Sequence, residues 1–192
     1  MVKEIPFMIF MRKGKTYYGG DQEWFEDAWA RKAGCASVLA ADLSCVYRQD
    51  VSISFKDFKK LMKDMFEFNT PGVIGFPYFY KFSKNFILHM HQVGIELEPI
   101  YQKKSRSIEE GFQFVKKAID ASYPVGMLIL THMAKELEEE TWHWMCITGY
   151  EIDGPDRYII FSSCGEKIKT KADVLFDVHH MNVVKLMTFK RV

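Results

Sequence analysis

The chain has 192 residues and a nearly balanced charge, with 26 Lys and Arg against 25 Asp and Glu. This balance argues against nucleic acid or an anionic membrane as the main partner, because both require an excess of basic residues. With 48% apolar residues, a chain of this length can bury one sizeable core, so we expect a single domain over residues 1–192.

The four cysteines, at positions 35, 45, 146 and 164, include no Cys-x-x-Cys pair. Their number and spacing favour a reducing compartment and argue against a disulfide framework or structural zinc. The N-terminal apolar run lacks a small-residue cleavage site, and no stretch is long enough to span a membrane. We therefore expect a cytoplasmic protein that uses no metal and no cofactor.

The first part of the chain, about residues 20–120, predicts mainly helices. Apolar residues at three- and four-residue spacing give the strongest signals, and Ser residues in front of two of these stripes predict helix caps. The elements predicted in chain order are a strand over 5–11, a short helix within 21–27, helices from Cys35, from Ser54 and over 76–93, a strand over 95–101 and a helix from Ser107.

The second part, about residues 121–192, predicts mainly strands. The segment Asp153-Gly154-Pro155-Asp156 is a strong turn signal, so the strands on either side of it should form an antiparallel hairpin. We predict strands over 125–130, 142–150, 158–162 and 183–190. Helices followed by strands, without a repeat or a linker, indicate an α+β fold.

Cys35 follows Gly34 at the predicted start of a helix with one apolar face. Unpaired backbone N–H groups and the positive end of the helix dipole favour a thiolate at that position, and a thiolate attacks carbonyl carbon. Free cysteine is also among the most buried residue types, so a core cysteine is the alternative interpretation. We take Cys35 as the candidate nucleophile.

His143 begins the strand that enters the predicted hairpin, and Ser162 lies near the end of its partner strand. Side chains near the open end of a hairpin lie side by side, so we expect the Ser162 hydroxyl to bind the imidazole and fix its tautomer. In thiol hydrolases the imidazole pairs with the thiolate and protonates the leaving amine, and a third group orients the ring. The predicted catalytic set is Cys35, His143 and Ser162.

Three local sequences resemble the papain-like cysteine peptidases, especially the short bacterial relatives around the bacteriocin-processing, double-glycine-leader peptidases. They follow the family's order over residues 34–165, with 108 residues from Cys35 to His143 (143 minus 35). The resemblance implies a papain-like fold in which the nucleophile helix packs against a C-terminal antiparallel sheet. The matching segments are Gly34-Cys35-Ala36-Ser37 for the nucleophile, His143-Trp144-Met145-Cys146-Ile147-Thr148-Gly149-Tyr150 for the histidine strand, and Ser162-Ser163-Cys164-Gly165 for the Asn-Ser-Trp-Gly or Asp-Pro-Trp-Gly segment.

The same resemblance implies a substrate groove beside the histidine strand. We expect Trp24, Trp142 and Trp144 to contribute to it. The acidic run Glu136–Glu140 precedes the histidine strand and is expected on one wall, where it would select a basic substrate or partner. A solvated loop is the alternative interpretation of this run.

Three positions depart from the family pattern. Ser162 replaces an Asn or Asp, Cys164 replaces a Trp, and Trp29 stands where the family has the glutamine that donates to the oxyanion. Gln22, 13 residues before Cys35 (35 minus 22), is the nearest substitute for that donor. Losing one oxyanion donor costs about 3 kcal/mol, on the order of a hundredfold in rate.

The sequence therefore favours a papain-like thiol hydrolase that cleaves a peptide or amide bond. A catalytically weak or inactive papain-like protein that binds peptides in the same groove is the first alternative, and the three departures favour it. A Cys-dependent acyltransferase or amidase on a small substrate is the second. The expected partner is a peptide or small amide, and the oligomeric state is not determined by the sequence.

Overall fold

The computed structural model of the chain describes residues 1–192 and contains six helices and nine strands. The helices are α1 (Ala28–Ala33), α2 (Cys35–Tyr47), α3 (Phe55–Phe68), α4 (Phe79–Gln92), α5 (Ile108–Asp120) and α6 (Ala172–Leu175). The strands are β1 (Val2–Glu4), β2 (Ile9–Arg12), β3 (Lys15–Tyr18), β4 (Leu97–Gln102), β5 (Val125–Thr131), β6 (His143–Asp153), β7 (Asp156–Ser163), β8 (Glu166–Lys171) and β9 (Val183–Arg191). Two short 3₁₀ turns span Gln22–Trp24 and Lys135–Leu137.

Seven of the strands form one antiparallel sheet. Its order is β4-β9-β5-β6-β7-β8, and β1 pairs with β6. Strands β2 and β3 form a separate hairpin. The fold is thus α+β as predicted, although β4, from the mainly helical part of the chain, joins the sheet.

Helix α2 lies at the centre of the protein. Eleven of its 13 residues are buried, because the helix is apolar on most of its circumference. Leu39 and Leu43 share a core with Leu128, Trp144 and Met187 from the sheet. This packing fixes the position of the first residue of α2, Cys35, relative to the sheet.

Helix α5 belongs to a second core, built on sheet residues that are not part of the first core. Phe112, Val115 and Ile119 pack there with Met127 and Ile147. Neighbouring positions of β5 and β6 divide between the two cores, because successive side chains of a strand point to opposite faces. The sheet therefore lies between two layers of helix.

The helix boundaries confirm the capping predictions. The side chain of Ser54 accepts a hydrogen bond from the Asp57 N–H, and that of Ser107 accepts one from the Glu110 N–H. Such caps satisfy N–H groups that have no partner inside the helix.

The predicted strand over 5–11 was wrong in extent, since the chain forms β1 and β2 with a break between them. None of the helices is long and apolar enough to cross a membrane.

Candidate active site

Cys35 is the first residue of α2, and Gly34 is its N-cap. Gly34 is required by close packing, since a Cβ there would overlap the Ala30 carbonyl oxygen and the Phe25 ring. The Cys35 side chain is partly exposed, whereas almost all of the helix behind it is buried. The predicted position of the thiol at a helix start is confirmed.

A narrow crevice brings Cys35 together with polar residues from distant parts of the chain. Its volume is about 10 Å³, roughly the room needed for one water molecule. Its lining comprises Gly20, Gln22, Cys35, Val38, Leu39, Asp42, His143, Trp144, Met145, Cys146, Ser162 and Cys164. The structure thus places the two members of the predicted dyad, and the proposed oxyanion donor, around one small space.

The His143 ring faces Cys164. Its Nε2 lies 3.6 Å from the Cys164 Sγ, within the range of a hydrogen bond to sulfur. No hydrogen bond joins His143 to the Cys35 Sγ in this structure. Burial lowers the pKa of His143 to about 4, so the imidazole is neutral at physiological pH.

The Cys35 thiol is neutral as well. Backbone N–H groups of Trp144, Ala36 and Cys35 itself lower its pKa, but the larger effect is burial, which raises the pKa above the ordinary value for cysteine. The expectation of a resting thiolate at the helix start was therefore wrong. Burial destabilises the thiolate by more free energy than the backbone N–H groups and the helix dipole stabilise it, so the pKa rises.

Ser162 does not orient His143. Its Oγ donates to the Tyr18 carbonyl oxygen at 2.6 Å, and in the hairpin register Ser162 lies opposite Cys146. The neighbouring Ser163 donates to Glu140 at 2.6 Å. Both hydroxyls thus bind groups other than the imidazole, and Cys164 is the side chain that contacts the ring.

Gln22 reaches the crevice through the 3₁₀ turn in which it lies. The side chain of Asp21 caps this turn by accepting from the Glu23 N–H. The Gln22 Oε1 is buried and has no hydrogen-bond partner. A half-turn of the amide about its last bond places the Nε2 donor at that position, so Gln22 presents an unused polar group beside Cys35.

Asp42 holds the segment that carries Gln22. Its Oδ1 accepts from the Gly20 N–H at 3.0 Å, in a buried hydrogen bond. A Cβ at Gly20 would lie 2.7 Å from Val38 Cγ1, so only glycine allows the segment to approach α2 this closely. Asp42 was not identified from the sequence, where it is one polar residue within an apolar helix.

A larger groove opens on the other side of Cys35. It has a volume of about 380 Å³ and is mostly apolar. Its lining comprises Trp29, Lys32, Ala33, Cys35, Val73, Ile74, Gly75, Phe76, Pro77, Leu128, Leu130, Trp142 and Trp144. Cys35 and Trp144 are the residues that line both the groove and the crevice.

Two tryptophans hold the far wall of this groove. The Trp142 Nε1 donates to the Ile74 carbonyl oxygen at 3.0 Å, and the Trp144 Nε1 donates to the Phe76 carbonyl oxygen at 2.7 Å. These bonds fix the segment 73–77, whose side chains complete the wall. Trp142 and Trp144 therefore line this groove.

Trp24 and the acidic run lie elsewhere. Trp24 packs edge-on against Phe10 and Phe55 and does not line the groove. Glu136 accepts from Thr170, and Glu140 accepts from Ser163. The expected acidic wall was thus wrong, since these two carboxylates bind hydroxyls of the sheet.

The residues around the crevice do not form a metal centre. No group of three or more His, Cys, Asp or Glu side chains is arranged to hold a metal ion. All four cysteines are free thiols, two of them buried in the core, namely Cys45 and Cys146.

Comparison with known proteins leaves the family open. No protein-family model matches the chain, and none of the curated proteins does. Among solved structures, the crystal structure of UfSP from C. elegans aligns with 98% of this chain and 34% of its own, at 7% sequence identity and a TM-score of 0.43. The chain thus spans about a third of the length of that structure. A likeness of this degree assigns neither a family nor an activity, so the function rests on the residues of the site.

Proposed function

We propose that the protein is a papain-like thiol hydrolase that cleaves a peptide or amide bond with Cys35 as nucleophile and His143 as base and acid. The observation that carries the proposal is the position of Cys35, which lines both the polar crevice with His143 and the open apolar groove. A substrate in the groove would present its carbonyl to the sulfur while the imidazole lies behind it.

The reaction begins from a neutral pair. His143 takes the Cys35 proton as the sulfur attacks the carbonyl carbon, and the carbonyl oxygen becomes an oxyanion. The intermediate collapses when the imidazolium returns the proton to the leaving amine, which leaves a thioester on Cys35. Water, deprotonated by His143, then releases the acid and restores the thiol. In unliganded sites catalytic hydrogen bonds are often long and shorten only with substrate, so the resting orientation of His143 is compatible with this sequence.

Two groups are available to stabilise the oxyanion. The backbone N–H of Cys35 lies at the start of α2, where such groups have no partner within the helix. The amide of Gln22 lines the same crevice and supplies the second donor. Pre-positioned donors of this kind are worth about 3 kcal/mol each to the transition state.

The groove favours a substrate whose acyl part is apolar. Its lining is mostly aliphatic and aromatic, and Lys32 is the one charged residue in it. A peptide with a large apolar side chain near the scissile bond, and a carboxylate within reach of Lys32, matches both features.

The resting state of the dyad gives a direct prediction. At pH 7 the thiol and imidazole are both neutral, because burial raises the pKa of Cys35 and lowers the pKa of His143 to about 4. The ultraviolet absorption of a thiolate, taken as the difference between the wild type and Cys35→Ala, should be absent at pH 7 and develop only in alkaline solution. Nuclear magnetic resonance should show His143 protonating near pH 4. A full thiolate signal at pH 7 would contradict the neutral pair.

Trp142 provides a second prediction, on the groove. Its side chain is 52% exposed, and Trp142→Ala removes both an apolar wall and the hydrogen bond to Ile74. We expect kcat/KM for apolar peptides to fall roughly tenfold to a hundredfold, as for losing about 1–3 kcal/mol of pocket contact. Trp142→Phe keeps the wall and should lose less. Tyr80→Ala removes an exposed aromatic residue outside the groove and should change nothing. Equal losses in the Trp142 and Tyr80 variants would argue against the groove as the substrate site.

The hydrolase proposal is tested with fluorogenic peptide amides that vary the residue before the cleaved bond. We expect turnover of peptides with large apolar residues, none with Gly or Lys at that position, and no turnover by Cys35→Ala. An absence of turnover across a complete panel would reject the proposal.

The orientation of His143 favours one competing function, a binding module that uses the same groove without catalysis. The ring binds Cys164 and makes no hydrogen bond to the Cys35 sulfur. In this case labelled apolar peptides bind the wild type and Cys35→Ala equally and stay intact for both proteins. Binding followed by cleavage in the wild type alone excludes it.

A further inference from the structure

Cys164 occupies an unusual backbone position. With Gly165 it forms the two-residue connection between β7 and β8, and φ is +46° at Cys164 and +74° at Gly165. Positive φ at both central residues is the pattern of a type I′ turn, whose first central position favours Asn, Asp or Gly. A cysteine is disfavoured there, and a residue in a strained backbone position is a reason to look for a functional contact.

The contact that Cys164 makes is with the candidate base. Its Sγ lies 3.6 Å from the His143 Nε2, and no other side chain in the chain hydrogen-bonds to this ring. Because Nε2 faces Cys164, Nδ1 is the nitrogen left to exchange a proton with Cys35.

We propose that Cys164 is the positioning residue for His143: its sulfur accepts the Nε2–H, which fixes the tautomer and turns Nδ1 toward Cys35. This inference rests on the proposed hydrolase function and assigns to Cys164 the role that the sequence suggested for Ser162. Ser162 is excluded from it by its hydrogen bond to the Tyr18 carbonyl oxygen.

A thiol in this position orients the ring without charging it. Cys164 is exposed at the turn, but partial loss of solvation on its inner side, together with the nearby charges of Asp21 and Glu140, raises the pKa of its thiol to about 12, so the group is neutral at physiological pH. The imidazolium that forms during catalysis therefore gains no ionic partner. The other titratable groups that line the crevice are Cys35 and Asp42 from α2 and Cys146 from β6.

The test compares Cys164→Asp, Cys164→Asn and Cys164→Ala with the wild type, all under reducing conditions. Asp and Asn both tolerate the positive φ, so these variants should fold at least as well as the wild type. The readouts are the pKa of His143 by nuclear magnetic resonance, with His89 as internal reference, and the rate of Cys35 alkylation by iodoacetamide at pH 7.

We expect Cys164→Asp to raise the pKa of His143 by about one unit or more, because an opposite charge at this distance stabilises the imidazolium. Cys35 alkylation should then rise several-fold. Cys164→Asn should keep or moderately increase the alkylation rate, since an amide oxygen also accepts the Nε2–H. Cys164→Ala should reduce the rate several-fold, because the ring is no longer held.

If Cys164 were only a turn residue, Cys164→Ala and Cys164→Asn would leave the His143 titration and the Cys35 alkylation rate unchanged, and this result would overturn the inference. The pKa rise in Cys164→Asp checks proximity alone, because a carboxylate this close to the ring raises the pKa whatever the native residue does. These readouts do not depend on hydrolysis. Slower Cys35 alkylation in Cys164→Ala, without peptide cleavage by the wild type, would support Cys164 as the positioning residue and reject the hydrolase. Cleavage unaffected by every Cys164 variant would support the hydrolase and overturn the role of Cys164.

Discussion

Replacing Cys35 with Ala should reduce kcat/KM for every peptide that the wild type cleaves by on the order of a thousandfold or more. The sulfur is the atom that forms the acyl intermediate, and no other nucleophile lies at the boundary between crevice and groove. Cys35→Ser should be nearly as inactive, because a hydroxyl ionises less readily than a thiol and a base whose pKa is lowered to about 4 is a weak one. The measurement is turnover of the preferred fluorogenic peptide.

The matched control for this change is Cys45→Ala. Cys45 lies on the same helix, is fully buried and does not line the crevice or the groove. This variant should lose stability through the vacated volume and retain turnover in its folded fraction. Retained activity in Cys35→Ala, with the same substrate preference, would assign the chemistry to another residue.

Asp42→Asn should make the protein more stable at neutral pH. Burial raises the pKa of Asp42 to about 8, so the folded protein keeps the proton while the unfolded chain releases it near its ordinary pKa. The unfolded state binds fewer protons between these two values, and the free energy of unfolding of the wild type therefore falls as the pH rises through that interval and levels off above about pH 8. Asn keeps a carbonyl oxygen for the Gly20 N–H and has no proton to lose.

The size of this effect follows from the interval between the two pKa values. Each pH unit contributes about 1.4 kcal/mol, so the stability difference between Asp42→Asn and the wild type should grow by about 3 kcal/mol from pH 5 to pH 7. Urea unfolding of both proteins at several pH values measures it. Asp153→Asn, a change at an exposed turn, is the control and should give a difference that does not vary with pH. A constant difference for Asp42→Asn would show that the carboxyl ionises normally.

The helices could be predicted because their signals are local. Apolar spacing and the caps at Ser54 and Ser107 lie within a few residues of each helix start.

The edge strand β8 could not be predicted from such local signals. Its sequence alternates Lys with other residues, and Lys167, Lys169 and Lys171 form ion pairs with Glu4, Glu151 and Asp156. A charged edge avoids pairing with other chains, but it carries little apolar signal.

The sequence could have excluded Ser162 as the partner of His143, but it could not have identified Cys164. Asp153 pairs with Asp156 across the hairpin turn, and an irregularity between Ile147 and Gly149 shifts the register by one. Counting back from the turn places the residues just after Ser163 opposite His143, so the turn alone argues against Ser162. The contact with Cys164 required the geometry of the next turn.

The charge state of Cys35 could not be predicted from its neighbours in sequence. The helix start that favours a thiolate is visible in the sequence, but the desolvation that opposes it comes from residues far away in the chain. Trp144 from β6 and the segment that carries Gln22 enclose the thiol only after folding. The protonation state of Cys35 depends on burial by these distant segments, which the residues next to Cys35 in sequence do not reveal.

The most direct test of the central claim uses a peptide chloromethyl ketone with a large apolar residue next to the reactive group, with the labelled cysteine identified by mass mapping of the folded protein. We predict one adduct, on Cys35, which His143→Ala slows at least about tenfold and Trp142→Ala also slows. An adduct on Cys164, an even distribution over the four cysteines, or an unchanged rate in His143→Ala would contradict a Cys35–His143 active site.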